Sequence, residues 1–230
     1  NPSYEQIYFE AVTNALDAGA DKISIQIKLE SFDRPDTLEV EIKDNGFGFI
    51  DKNFYKFSKL LEVESKDHKG LGRLVYLAYF KEVEIESLYE GSKKRKFIFD
   101  SDFDGKCEPI SEQGDSGSSL RFRYYLKDKV YRYAFLTPKD IKESLLNNFF
   151  SLFFRKKQRG DSLQIDISLK VTVTNPDINF ISSNVTLTLT DLPDLKRTTF
   201  QALEIHLFEE FDIHYSIKRE PEKEKNIYTA

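Results

Sequence analysis

Three short stretches carry residue types that could do chemistry together. Glu10, Asn14 and Asp17 recur at spacings of four and three residues, which sets all three on one stripe of a helix. Asparagine is a poor helix former that a surface helix rarely needs. An amide and two carboxylates on one stripe can hold Mg²⁺ and orient a water, although a solvated helix face gives the same pattern. Asp44-Asn45-Gly46-Phe47-Gly48 follows an alternating run. A carboxylate held where a strand stops can accept from an amino group such as that of adenine, and Gly46 and Gly48 let a ligand approach without a Cβ in the way. Asn-Gly is also a common turn dipeptide. Lys69-Gly70-Leu71-Gly72-Arg73 opens an apolar segment. N–H groups at the start of a helix attract an anion, and the flanking cations add to that. A glycine turn before a core helix is the alternative there. No GxxxxGK[ST] occurs, which excludes a P-loop.

The elements that must position these residues are legible around them. Ser3 to Ala18 reads as an amphipathic helix with Ile7, Ala11, Ala15 and Ala18 on one face and Gly19 as its C-cap. Ile23, Ile25, Ile27 and Leu29 alternate in a strand, and Leu38 to Lys43 returns antiparallel to it after the turn at Asp33-Arg34-Pro35-Asp36. A helix is expected from Asp51 to Leu61, then a polar stretch from Glu62 to Lys69 that has no apolar period and suits a flap. Leu74 to Phe80 reads as a buried helix. Val83 to Tyr89 and Lys94 to Asp100 form a hairpin about Gly91-Ser92, residues 102–117 a loop, and Ser118 to Leu126 a further strand. Thr137-Pro138-Lys139-Asp140 starts a helix whose Ile141, Leu145, Phe149 and Phe153 recur every fourth residue. Leu163 to Val173 alternates as a strand. After about Asn175 the character changes, with short strands at Val185 to Leu189, Phe200 to Glu210 and Phe211 to Lys218. The reading is therefore one domain over 1–174 and the opening of a second over 175–230.

Composition narrows the function classes. A chain of 230 residues with 40% apolar residues, 20 Phe and 12 Tyr can bury a sizeable core. The net charge of −5 argues against a protein that coats nucleic acid, though not against a local basic groove. The single Cys107 excludes an internal disulfide and a multi-cysteine zinc site, and suits a reducing, cytoplasmic setting. No apolar run is long enough to span a bilayer, so no membrane partner is expected. His206 and His214 have no partners at metal spacing. The basic run Arg155-Lys156-Lys157-Gln158-Arg159 fits a solvated helix C-terminus.

Taken in order, Glu10-Ala-Val-Thr-Asn14-Ala-Leu-Asp17-Ala18, Asp44-Asn-Gly46-Phe-Gly48 and Lys69-Gly70-Leu71-Gly72-Arg73 resemble the Bergerat-fold ATPases: gyrase, the heat-shock chaperones, histidine kinases and MutL, together the GHKL superfamily. Gly117-Ser118-Ser119 resembles that family's final Gly-Thr element, with Ser118 keeping the hydroxyl of the usual threonine. The resemblance implies an α/β, or α+β, two-layer sandwich: a mixed, mainly antiparallel sheet with helices on one face. It implies ATP between helices and sheet, with Asp44 on the adenine amino group supported by Gly46, Gly48 and Ser118. It implies Mg²⁺ on Asn14, with Asp17 beside it and Glu10 as the general base of hydrolysis. Lys69, Gly70, Leu71, Gly72 and Arg73 would lie at the phosphates, with 62–68 as the lid. The pattern KGLGRLVYLAYF followed by EVEIES also looks like bacterial ATP-binding proteins with longer C-terminal regions. An ATPase module inside a larger protein is therefore expected, with homodimerisation through nucleotide-dependent closure and DNA or a protein as client. A histidine-kinase-like catalytic module and a nucleotide-binding scaffold without hydrolysis are the competing readings.

Overall fold

Alternation of buried and exposed residues governs the sheet. Along β1 (Lys22–Leu29) the isoleucines Ile23, Ile25 and Ile27 are almost fully buried and their neighbours face away, as a half-buried strand requires. The computed structural model describes residues 3–58, 72–128, 136–172, 183–201, 210–217 and 227–229. Among these, β1 joins β2 (Glu39–Asp44), β3 (Phe80–Tyr89), β4 (Lys93–Phe99), β5 (Ile110–Ser111), β6 (Gly117–Tyr125), β7 (Gln164–Val171) and β8 (Ser183–Thr188) in one sheet of order β5-β4-β3-β6-β2-β1-β7-β8. Every pairing in it is antiparallel except β1 with β7. The fold is thus the expected mixed, mainly antiparallel sheet of an α/β sandwich.

One face of the sheet carries the helices α1 (Gln6–Asp17), α2 (Asp51–Ser58), α3 (Leu74–Tyr79), α4 (Pro138–Asn148) and α5 (Phe150–Arg159). Ile7, Val12, Tyr76, Leu145 and Phe153 from the helices meet Ile25, Val40, Ile85, Phe122 and Ile167 from the strands in a single core. The other face is held by charge. Arg121 pairs with Glu41 at 2.9 Å and Glu84 at 3.4 Å, Lys96 with Glu84 at 3.2 Å and Glu86 at 2.6 Å, and Lys94 with Glu86 at 3.2 Å. These cross-strand pairs lie on neighbouring strands of the outer face, each adding a fraction of a kcal/mol.

Three expectations are corrected in detail. The helix predicted through Phe149 is two helices: Phe149 leaves helical geometry at φ −103° and ψ 14°, just after Asn147-Asn148, residues whose side chains compete for the backbone. Phe80 starts β3 instead of ending a helix, and the loop over 102–117 contains the short β5. Thr137 caps α4 as expected, its hydroxyl accepting from the Asp140 N–H.

The large sheet runs on to Thr188 in β8. A separate antiparallel sheet, β11-β10-β9, is built from β9 (Lys196–Gln201), β10 (Glu210–Ile217) and β11 (Ile227–Thr229). His214 of β10 packs against Phe154 of α5, the rings tilted at 57° with centroids 5.1 Å apart. His206 lies outside the described residues.

Candidate functional site

The end of β2 is where the candidates gather. Antiparallel register sets Asp44 beside Ser118 of β6, and Ser118 beside Ser87 of β3. Asp44 Oδ1 accepts the Gly46 N–H at 2.8 Å. Burial pushes the Asp44 carboxyl above its ordinary value, opposed by backbone N–H bonds from Gly46 and Ser118. Asn45 is more than a turn residue. Its Oδ1 accepts from Asp21 N at 3.1 Å and Lys22 N at 2.9 Å, and its Nδ2 donates to Asp21 Oδ1 at 2.7 Å. Ser162 donates to the other Asp21 oxygen at 3.1 Å, tying this loop to the start of β7. Gly46 lies against the end of α1: a Cβ there would sit 2.8 Å from the Ala18 Cβ, and Phe47 N donates to Ala18 O at 2.9 Å. Gly48, at φ +75°, passes so close to Leu88 O and Ser87 Oγ that no side chain fits.

Two residues that hold this loop escape sequence reasoning. Ser87 Oγ accepts from Phe49 N at 2.7 Å and meets Ser118 Oγ at 3.1 Å, both hydroxyls being buried. Arg95, also buried, donates to Phe49 O at 2.6 Å and Asp51 Oδ1 at 2.7 Å while its guanidinium lies 4.5 Å from the Phe54 ring centroid. Both side chains sit at inward positions of strands, where alternation predicts an apolar residue. That polar interruption was the available signal.

Along α1, Asn14 Nδ2 donates to Glu10 Oε1 at 3.5 Å, both near the start of α3. Gly72 touches the Glu10 carboxylate so closely that an added Cβ would collide with it. Arg73 follows, 6% exposed, its guanidinium 4.7 Å from the Phe57 ring centroid. Its Nε and Nη2 have no hydrogen-bond partner among the described residues. Burial lowers the Arg73 pKa, and the Glu10 charge opposes that. Burial raises the Glu10 carboxyl, against a hydrogen bond from Asn14 and the charge of Arg73, while the exposed Asp17 raises it further. Tyr76, fully buried beneath, has its phenol pushed well up by burial and then by Glu10.

The predicted residues therefore form two groups. Asp44, Gly46, Gly48 and Ser118 make one, and Glu10, Asn14, Gly72 and Arg73 the other. The far end of α1, docked on the Gly46 loop, links them. Lys69, Gly70, Leu71 and the 62–68 segment lie outside the described residues. Chemically, the first group offers a half-buried acceptor at a tight loop with glycine at 46 and 48. The second offers a carboxylate able to take a proton, an exposed carboxamide oxygen, and buried guanidinium donors that suit an anion. Such a set fits a magnesium nucleotide, since Mg²⁺ held through phosphates needs only one or two protein ligands.

A sequence profile described as Histidine kinase-, DNA gyrase B-, and HSP90-like ATPase matches residues 2–128. No curated protein matches the chain. Among solved structures, "Crystal Structure of N terminal domain of a DNA repair protein" is similar at 14% identity and a TM-score of 0.49, over 98% of this chain and 68% of that one. "Aquifex aeolicus MutL ATPase domain complexed with ADP" is similar at 14% identity and a TM-score of 0.49, over 96% of this chain and 78% of that one. Among the described residues, no helix is long and apolar enough to cross a membrane.

Proposed function

Because this chain belongs to the histidine kinase-, DNA gyrase B- and HSP90-like ATPases, we propose that it binds ATP with Mg²⁺ at the cleft between α1 and the sheet, and hydrolyses it. The observation that carries this is the pairing of a half-buried, N–H-supported Asp44 at the strand end with the Glu10–Asn14–Arg73 cluster at the middle of α1. In this reading Asp44 accepts from the adenine amino group, and Gly46 and Gly48 let the loop that carries it pack closely against Ala18 and Leu88. Ser118 holds the loop through Ser87. The Asn14 carboxamide would hold Mg²⁺ together with the phosphates, and the ion would supply charge that offsets theirs. Glu10 takes a proton from water as the water oxygen bonds the terminal phosphorus and the bond to the leaving ADP breaks.

The finer organisation belongs to the same proposal. Residues 62–68 close over the nucleotide as a lid, a reading that rests on their polarity and their place between α2 and Gly72. Closure changes contacts to a second domain or a second copy, so the module acts within a larger multidomain protein with a protein or DNA client. The chain divides into two units, the second holding the three-stranded sheet; because β8 pairs with β7, the ATP-binding unit extends past 174 to at least Thr188. A cytoplasmic location follows from the nucleotide and the lone thiol.

The test is calorimetric titration of the chain with ATP and Mg²⁺ beside a steady-state assay of phosphate release. Binding with turnover is the expected result. Binding without turnover would favour the scaffold reading, and no binding would overturn the proposal.

A further inference from the structure

Arg73 is the least satisfied charged group around the site. Its side chain is 6% exposed, yet Nε and Nη2 have no hydrogen-bond partner among the described residues. Guanidinium groups stay charged and carry five donors in a rigid fork. Nε carries one of them and Nη2 two, and leaving these buried and unmet is unfavourable unless something else meets them in the working state. The guanidinium carbon lies 4.7 Å from the Phe57 ring centroid, a contact that uses no N–H donor. Nε and Nη2 therefore remain for a ligand. The neighbouring Gly72 packs on the Glu10 carboxylate, so the unused donors belong to the same small volume as the group that faces the attacking water.

We propose that Arg73 recognises the terminal phosphoryl group of the bound nucleotide and thereby lets the site tell ATP from ADP. The inference rests on the ATP reading and goes beyond it by giving one side chain one phosphate. Two phosphoryl oxygens can meet the Arg73 fork in a bidentate pair. The reason for the terminal phosphate is Glu10. A base can act only on a water beside the phosphorus under attack, and Arg73 lies next to that base. ADP has no group that reaches there. The same contact would draw the Arg73 charge from Glu10 to the phosphate, so Glu10 would be least restrained when the triphosphate is bound.

The experiment measures affinities of the whole chain for ADP and for a non-hydrolysable imido analogue of ATP, each with Mg²⁺. Arg73→Ala is expected to lose about 10- to 100-fold in affinity for the triphosphate, with ADP affinity unchanged. Arg73→Lys keeps the charge but loses the fork, and is expected to show a smaller loss confined to the triphosphate. It serves where the alanine variant does not fold, with cooperative thermal unfolding as the check on folding. Equal losses for both nucleotides, or none for either, overturn the inference while leaving the ATP reading intact. Asp44→Asn separates the two: it is expected to lose both nucleotides together. Wild-type protein that binds neither nucleotide overturns the inference together with the reading beneath it.

Discussion

At the scale of single residues, the chemistry depends on carboxylates that the fold has made less comfortable when charged. Burial raises Asp44, so the folded state holds its proton more tightly than the unfolded chain does. Stability from this group is therefore present at low pH and lost as pH rises through the folded value. Asp44→Asn removes the charge while keeping an oxygen for the Gly46 N–H. We expect it to abolish ATP binding, an unmet amino donor costing about 1–3 kcal/mol or more. The nucleotide-free variant should also gain thermal stability relative to the parent as pH rises from acid to neutral. Calorimetric titration and thermal unfolding across pH check the two halves. Glu10 is raised chiefly by burial from an ordinary value of 4.5. As a base it works only when ionised, so turnover should fall as pH drops through its pKa, with the acid limb above 4.5. Glu10→Ala should bind ATP yet turn over about 10²–10⁴-fold more slowly. A variant as fast as the parent in a phosphate-release assay would remove Glu10 from the role.

Among the elements, the loop after β2 is held from three sides: by Ala18 at the end of α1, by Asp21 at the entry to β1, and by Ser87 and Arg95 from β3 and β4. The loop is thus shaped before any ligand arrives, which lowers the ordering cost of binding. Ser87→Ala leaves the Phe49 N–H without its acceptor. We expect it to lower stability by about 1–3 kcal/mol and to weaken nucleotide binding although Ser87 need not touch the ligand. Gly48→Ala should be worse, since it adds a Cβ at φ +75° against Leu88 O. Urea unfolding of both variants, with the same m-value as the parent, would show whether the native state alone is affected.

Over the whole molecule, the large sheet does not end where the sequence changes character. β8 pairs with β7 from Ser183 to Thr188, and Leu187, Leu189 and Leu192 are buried at 0%, 8% and 4% exposure. Lys142 of α4 anchors the segment through Thr186 O at 2.9 Å and Asp191 at 2.6 Å. A chain stopped after Thr172 would expose the β7 edge and lose those leucines, each worth about 1.5–3 kcal/mol of burial. We expect it to be several kcal/mol less stable than a chain stopped after Leu195, or to aggregate through the open edge. Chemical denaturation of the two truncations checks this and locates the boundary of the ATP-binding unit.

Local pattern determined much of this by itself. The period-2 runs at 22–29 and 164–171 specify half-buried strands, Thr137 with Pro138 and Asp140 specifies a helix start, and the glycines of 46, 48 and 72 mark where backbone must pass close to other atoms. These features are legible because they depend on neighbours a few residues away. What only the tertiary structure decided joins residues far apart in the chain. β1 lies parallel to β7, Ser87 serves the loop after Gly48, Arg95 pins Asp51, and Arg73 comes to Glu10 with donors to spare. Such contacts depend on which strands close into one sheet and on the entropy of the loops between them. No local period records either, so the polar residues at inward strand positions acquire partners only once the sheet is assembled.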